Sequence, residues 1–103
     1  MTDREVIVHY HDNVVAMNCL MNCIDWNQRH GLPVLDMPDR VQELKKELLR
    51  FEDVLAGIPD IRTRNILRCR YALNWTELNT ADYMELHRET VRYIAKAALD
   101  RLS

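Results

Sequence analysis

Glycine and proline are scarce in this chain, which has two and three of them in 103 residues. So few turn formers exclude a loop-rich scaffold, a collagen-like repeat and a low-complexity tract. No apolar run approaches the roughly 20 residues that a membrane-crossing helix requires. The start shows no signal-peptide pattern, because its apolar stretch is interrupted by His9, His11, Asp12 and Asn13. Cysteine is also sparse, and the three present (Cys19, Cys23 and Cys69) make an odd count. That fits a reducing cytoplasm better than a disulfide framework. Cys19 and Cys23 would share a helix face, but no second ligand pair follows at the spacing of a structural zinc site. No metal or cofactor is expected, and the thiols are expected to be buried and inert. A glycine-rich phosphate loop and a nucleophile–base pair are both missing, so enzymatic chemistry is not expected.

What is present points to helices. Hydrophobic residues make up 48% of the chain and charged residues 29%, the balance of a compact helical protein. The formal net charge of −2 conceals an asymmetry. Residues 1 to 60 carry six basic and eleven acidic side chains, whereas residues 61 to 103 carry eight basic and five acidic ones. A basic half beside an acidic half is expected where one half meets phosphate and the other does not.

The periodicity predicts five helices and no sheet. The first runs from about Arg4 to His30, with Ile7, Tyr10, Val14, Met17, Met21 and Ile24 on one stripe. Val8, Val15, Cys19 and Trp26 form a second stripe beside it. β-Branched residues near the start leave a strand over Glu5–Tyr10 as the alternative there. Gly31 and Pro33 end this helix. The next opens at Asp36, with Pro38 in its first turn, and carries Val41, Leu44, Leu48, Phe51 and Leu55 at three-four spacing up to Gly57 and Pro59. Short linkage makes these two an antiparallel hairpin. The second stripe of the first helix then requires a further partner, either the C-terminal helices or a second copy. We expect a homodimer through Val8, Val15, Cys19 and Trp26. Trp26 and Trp75 read as core or interface residues rather than platforms for bases. After Asp60 the helices shorten: Arg62 to about Asn74 with Ile66, Leu67 and Tyr71 inward, Thr76 to Glu85, and His87 to Leu102 with Val91, Ile94, Ala98 and Leu102 inward.

The last two helices have the spacing of a helix-turn-helix. A small residue in the first helix lets the second cross closely, and apolar residues ten and thirteen positions later plug the crossing. Ala81, Val91 and Ile94 occupy those positions, with Met84 three after the alanine. In that register His87, Arg88, Glu89, Arg92, Tyr93 and Lys96 face away from the core, long and mostly basic, suited to phosphates and base edges in the major groove.

The stretch from Arg88 to Leu102 resembles the recognition helix and tail of sigma factor region 4, and Ile66-Leu67-Arg68-Cys69-Arg70-Tyr71 resembles the helix that precedes it. Thr76 stands where that family has a threonine opening the first helix of the motif. The likeness covers Ile61 to Ser103 and is shared with short phage and prophage proteins that carry this module behind a helical segment. It implies that Arg88, Glu89 and Arg92 read the bases of a promoter element. Residues 1 to 60 resemble none of the sigma segments that bind polymerase or melt DNA. At the turn the family's usual glycine is replaced by Glu85, so a remodelled turn is expected, because glutamate at φ > 0 is strained. Thr80 replaces a large aliphatic residue.

The expected protein is therefore all-α, with a helical hairpin over 1–58 for dimerisation and a helix-turn-helix domain over 59–103. Its expected function is transcription regulation on double-stranded DNA, with host RNA polymerase as a further partner. The alternative is a phage-encoded inhibitor that uses the acidic hairpin against a host polymerase, a sigma factor or a defence nuclease such as a CRISPR effector.

Overall fold

The computed structural model describes residues 2–102; Met1 and Ser103, the outer limits of the two expected segments, lie outside the described residues. The chain forms α1 (Asp3–Val8), α2 (Tyr10–Arg29), α3 (Met37–Ala56), α4 (Ile61–Leu67), α5 (Glu77–Met84) and α6 (Arg88–Arg101). A π-helical turn, Arg68–Ala72, continues α4. Among the described residues there is no strand, and no helix is long and apolar enough to cross a membrane.

The first helix does not run unbroken from Arg4. It is interrupted at His9, whose backbone (φ −94°, ψ 3°) caps α1 and starts α2. This break has a packing cause. Val6 and Ile7 turn into the common core, with Phe51 and Leu55 of α3, Ile66 and Leu67 of α4, Ala81 of α5 and Val91, Ala95, Ala98 and Leu99 of α6. α2 instead follows α3 outward. Straps on both sides hold α1 in place: the Arg4 amide donates to the Leu102 carbonyl (3.2 Å), Arg4 pairs with Asp100 (3.3 Å), and Arg50 of α3 pairs with Asp3 (3.2 Å).

α2 and α3 lie antiparallel, as the contact of Tyr10 with Phe51 (ring centroids 4.2 Å apart) and the short link between them require. Half-buried side chains on α2 include His11 and the expected Val14, and they recur at Tyr10, Asn13, Met17, Leu20, Ile24 and Asn27 as a seam of alternating three and four. That is the 3.5-residue period of a coiled-coil contact. The seam corrects one expectation. Met21 is exposed and Leu20 takes its place, and no residue of α2 is fully buried. A lone partner helix covers a strip rather than a face. On α3, Val41, Leu44, Phe51 and Leu55 are buried and Leu48 is half-buried. The pair projects from the core and makes the molecule long, 53 × 25 × 16 Å. Its radius of gyration, 16.6 Å, exceeds the roughly 13 Å of a compact domain of this length.

The tip of the projecting pair, where α2 ends and α3 begins, is set by local chemistry. Gly31 takes φ +69°, and the Leu32 amide reaches back to the Asn27 carbonyl (2.8 Å), closing α2 with a left-handed cap. Pro38 lies in the first turn of α3, while Asp36 occupies the N-cap position without a side-chain bond. Leu35 in the link is also left-handed (φ 52°) and 80% exposed.

Candidate nucleic-acid interface

α5, its turn and α6 bring together the residues singled out in the sequence. Thr76 is the N-cap of α5, its hydroxyl accepting from the Asn79 amide (3.0 Å). Thr80 is fully buried, and its hydroxyl is satisfied by donating to the Thr76 carbonyl (2.9 Å). A threonine therefore fits a core position without an unpaired polar group. Ala81 is buried beside it, which lets α6 cross close to α5.

The turn is not remodelled. Glu85 adopts the left-handed conformation (φ 57°, ψ 45°). The Leu86 amide donates to the Ala81 carbonyl (2.9 Å) and the Glu85 amide to that of Asp82 (3.4 Å). This is the same capping pattern that closes α2, with glutamate where α2 has glycine. The flanking hydrogen bonds and half-buried Leu86 hold Glu85 there against its steric preference, at a cost of about 1 kcal/mol. Glu85→Gly should therefore stabilise the fold by about 1 kcal/mol and raise the melting temperature by roughly 4–8 °C in a calorimetric scan. A lower melting temperature would mean that the carboxylate makes a compensating contact.

On α6, Val91, Ala95, Ala98 and Leu99 are buried, and Ile94 and Leu102 are half-buried. The buried arc is wider than expected and is turned toward Ala95 and Leu99, because α6 packs against α4 as well as α5. His87, Arg88, Glu89, Arg92, Tyr93 and Lys96 are all exposed, with Tyr93 at 74%. Among the described residues Arg88 and Lys96 make no ion pair. Arg92 does: its Nε and a terminal amine grip the two oxygens of Glu77 at 2.9 and 3.1 Å, tying α6 to the start of α5. Glu89 lies one turn from Tyr93 on the same open side.

Two further basic residues belong to this region, and periodicity did not reveal them. Arg70 on the π turn donates to the Trp75 carbonyl, and its guanidinium lies 5.8 Å from the Tyr71 ring centre. Arg4 arrives from α1. A cleft of about 310 Å³ beside α6 has Arg4, Arg70, Arg92, Lys96 and Glu77 in its lining. Arg70 falls within an arginine-rich run, but nothing in the sequence pairs Arg4 with it.

The four expected dimer residues behave alike. Val8, Val15, Cys19 and Trp26 are all exposed, Trp26 at 54% and stacked on His30 (3.9 Å between ring centroids). Cys19 and Cys23 are therefore exposed rather than buried, because the α2–α3 seam runs on the other side. Cys69 is buried, and burial pushes its thiol above the ordinary range. Trp75 is half-buried, edge-on to Tyr83 at 5.4 Å. Among the described residues no three His, Cys, Asp or Glu side chains are grouped to hold a metal ion.

Three carboxyls are held below their usual range by hydrogen bonds they accept when ionised: Glu52 from Arg68, Asp60 from Thr63 and Glu77 from Arg92. Groups depressed in this way stabilise the folded state above the ordinary carboxyl range. That stability is lost as pH falls through their folded values. The melting temperature should hold steady from neutrality to about pH 5 and fall below about pH 4. Glu77→Gln should remove part of the fall. A melting temperature that rises on acidification would contradict the assignment. No protein-family model, curated protein or solved structure matches this chain.

Proposed function

We propose that this chain is a DNA-binding transcription regulator of phage or mobile-element type. In this reading α4, α5 and α6 form a helix-turn-helix unit, and α2 and α3 form a hairpin that carries association. The carrying observation is the two-sidedness of α6. One side is locked into the core by Val91, Ala95, Ala98 and Leu99, and the other presents six exposed polar side chains, three of them arginine or lysine. The left-handed cap at Glu85 and the close approach at Ala81 support the same reading, since both set how α6 sits relative to α5.

The test is a gel shift against a random pool of duplex DNA at low and moderate salt. Binding that weakens steeply with salt, followed by enrichment of one sequence on selection, is the expected result. No binding at low salt would dismiss the reading in favour of the protein-interaction alternative, with the acidic arm as its contact.

Homodimerisation goes with this reading. Exposed Val15, Cys19 and Trp26 run along one side of α2, away from the seam with α3, and exposed Val8 ends α1 before the break at His9. A second copy packed there by two-fold symmetry would present two α6 helices to a palindromic site. Light scattering at tens of micromolar should give twice the chain mass, and Trp26→Glu should return it to one. A strict monomer for the unaltered protein would rule the dimer out.

A further inference from the structure

We propose that the cleft between α1, the π turn and α6 is a phosphate-binding site that takes a backbone phosphate of the duplex beside the bases α6 faces. This rests on the DNA-binding reading and extends the contact surface to two residues, Arg4 and Arg70, outside the α5–α6 unit. Four cations line the cleft against one carboxylate, Glu77. That carboxylate is gripped through both oxygens by Arg92 and also faces Arg70, but as the one carboxylate against four cations it leaves the cleft with an excess of positive charge. Lys96 makes no ion pair among the described residues. Arg70 is pre-positioned by its bond to the Trp75 carbonyl, which uses one of the five guanidinium donors. Arg4 pairs with Asp100, but both side chains are about half exposed (49% and 55%), and a pair of that kind is readily exchanged for a stronger anion.

The shape of the cleft fits the ligand. Its α6 wall includes buried Ala95 and Leu99 beside the cations, so a phosphate entering it leaves part of its water behind and each cation counts for more than at an open surface. Arg88, Arg92 and Lys96 follow one another every four residues, about 6 Å apart along the helix axis. Arg4, held at the end of α6 by the bond of its amide to the Leu102 carbonyl, adds a further cation to the cleft. A strand of DNA leaving the bases under Arg88 would therefore meet Arg92, then Lys96 and the cleft, before reaching the exposed Asp100 at the end of α6.

The experiment is fluorescence anisotropy of a labelled duplex across a salt series, with Arg4→Gln and Arg88→Ala beside the unaltered chain. Arg4→Gln should weaken binding to every sequence alike and lower the slope of log affinity against log salt by about one. Arg70→Lys, which keeps the charge but loses the planar fork, should weaken binding with the slope retained. Melting curves of both variants establish that they are folded. A second measurement titrates inorganic phosphate into the protein without DNA and follows the arginine side-chain resonances. If Arg88→Ala weakens DNA binding while the Arg4→Gln slope is unchanged, the inference falls and the DNA-binding reading stands. If that unchanged slope accompanies saturable phosphate shifts at Arg4 and Arg70, the cleft is a free-phosphate site, and the duplex as source is overturned. If the unaltered chain shows no salt-dependent binding, both the reading and this inference fall.

Discussion

Ile7→Ala is expected to cost the protein about 2–5 kcal/mol, a large part of the roughly 5–15 kcal/mol that holds a domain together. Ile7 is fully buried and lies with Val6 among side chains from α3, α4, α5 and α6. Truncating it leaves a cavity where α1 meets the other helices, and little can relax into the gap because core side chains from four helices surround it and the Arg4 amide ties α1 to the Leu102 carbonyl. Urea denaturation followed by circular dichroism and by tryptophan fluorescence measures the loss. Trp26 reports on the projecting pair and Trp75 on the C-terminal helices, and the two probes should move together, since Phe51 and Leu55 of α3 share the core with α6. Met21→Ala, at an exposed position of α2, is the control and should change stability by less than about 0.5 kcal/mol. If Ile7→Ala left the Trp75 transition in place while the Trp26 transition shifted, α1 would belong energetically to the projecting pair alone.

Arg92→Ala is expected to weaken binding at the preferred DNA site by about 1–3 kcal/mol, roughly 5- to 150-fold, and to relax specificity at one base pair. Arg92 is central on the exposed side of α6, and Glu77 holds its guanidinium in one orientation. An arginine fixed in this way loses less freedom when it meets a base edge. Lys96→Ala should differ, weakening all sequences alike, because a point charge one turn further along suits a phosphate. Glu89→Ala should raise non-specific affinity while blurring preference, by removing both a repulsion of phosphate and an acceptor for cytosine. Folding should survive all three changes. None of these side chains is buried, and an exposed pair such as Arg92–Glu77 supplies only a small share of the total stability, enough to read in a pH series but not to unfold the chain when lost. Binding curves on matched and mismatched duplexes decide the matter. If Arg92→Ala left both affinity and preference unchanged, the residue would be a strut between α5 and α6 rather than a reader.

The sequence by itself determined the helical class and most of the helix boundaries. Three-four spacing on α3 identified Val41, Leu44, Phe51 and Leu55, all buried. The signals at Gly31 and Thr76 are local, resting on a backbone conformation and a hydroxyl within reach of an amide three residues on, so they read correctly without tertiary knowledge. The separation of α6 into an inner and an outer side was legible from its spacing: Val91 and Ala98 are buried and Ile94 and Leu102 pack half-buried against the core, while buried Ala95 and Leu99 were missed.

Tertiary structure decided the rest. Nothing local distinguishes Val6 and Ile7 from the apolar residues that follow. They leave α2 at His9 because the core between α3 and α6 accepts them, a contact between residues far apart in the chain. Leu20 rather than Met21 lies on the seam because the two possible stripes have the same three-four spacing, and only packing against α3 sets which side of α2 faces inward. Glu85 keeps a conformation that its own sterics oppose, since the hydrogen bonds of the cap and the packing of Leu86 outweigh about 1 kcal/mol of strain. The juxtaposition of Arg4, Arg70, Arg92 and Lys96 arises only when α1 folds back onto α6. Charge patterns show how many cations a segment carries, and only the fold determines which of them share a cleft.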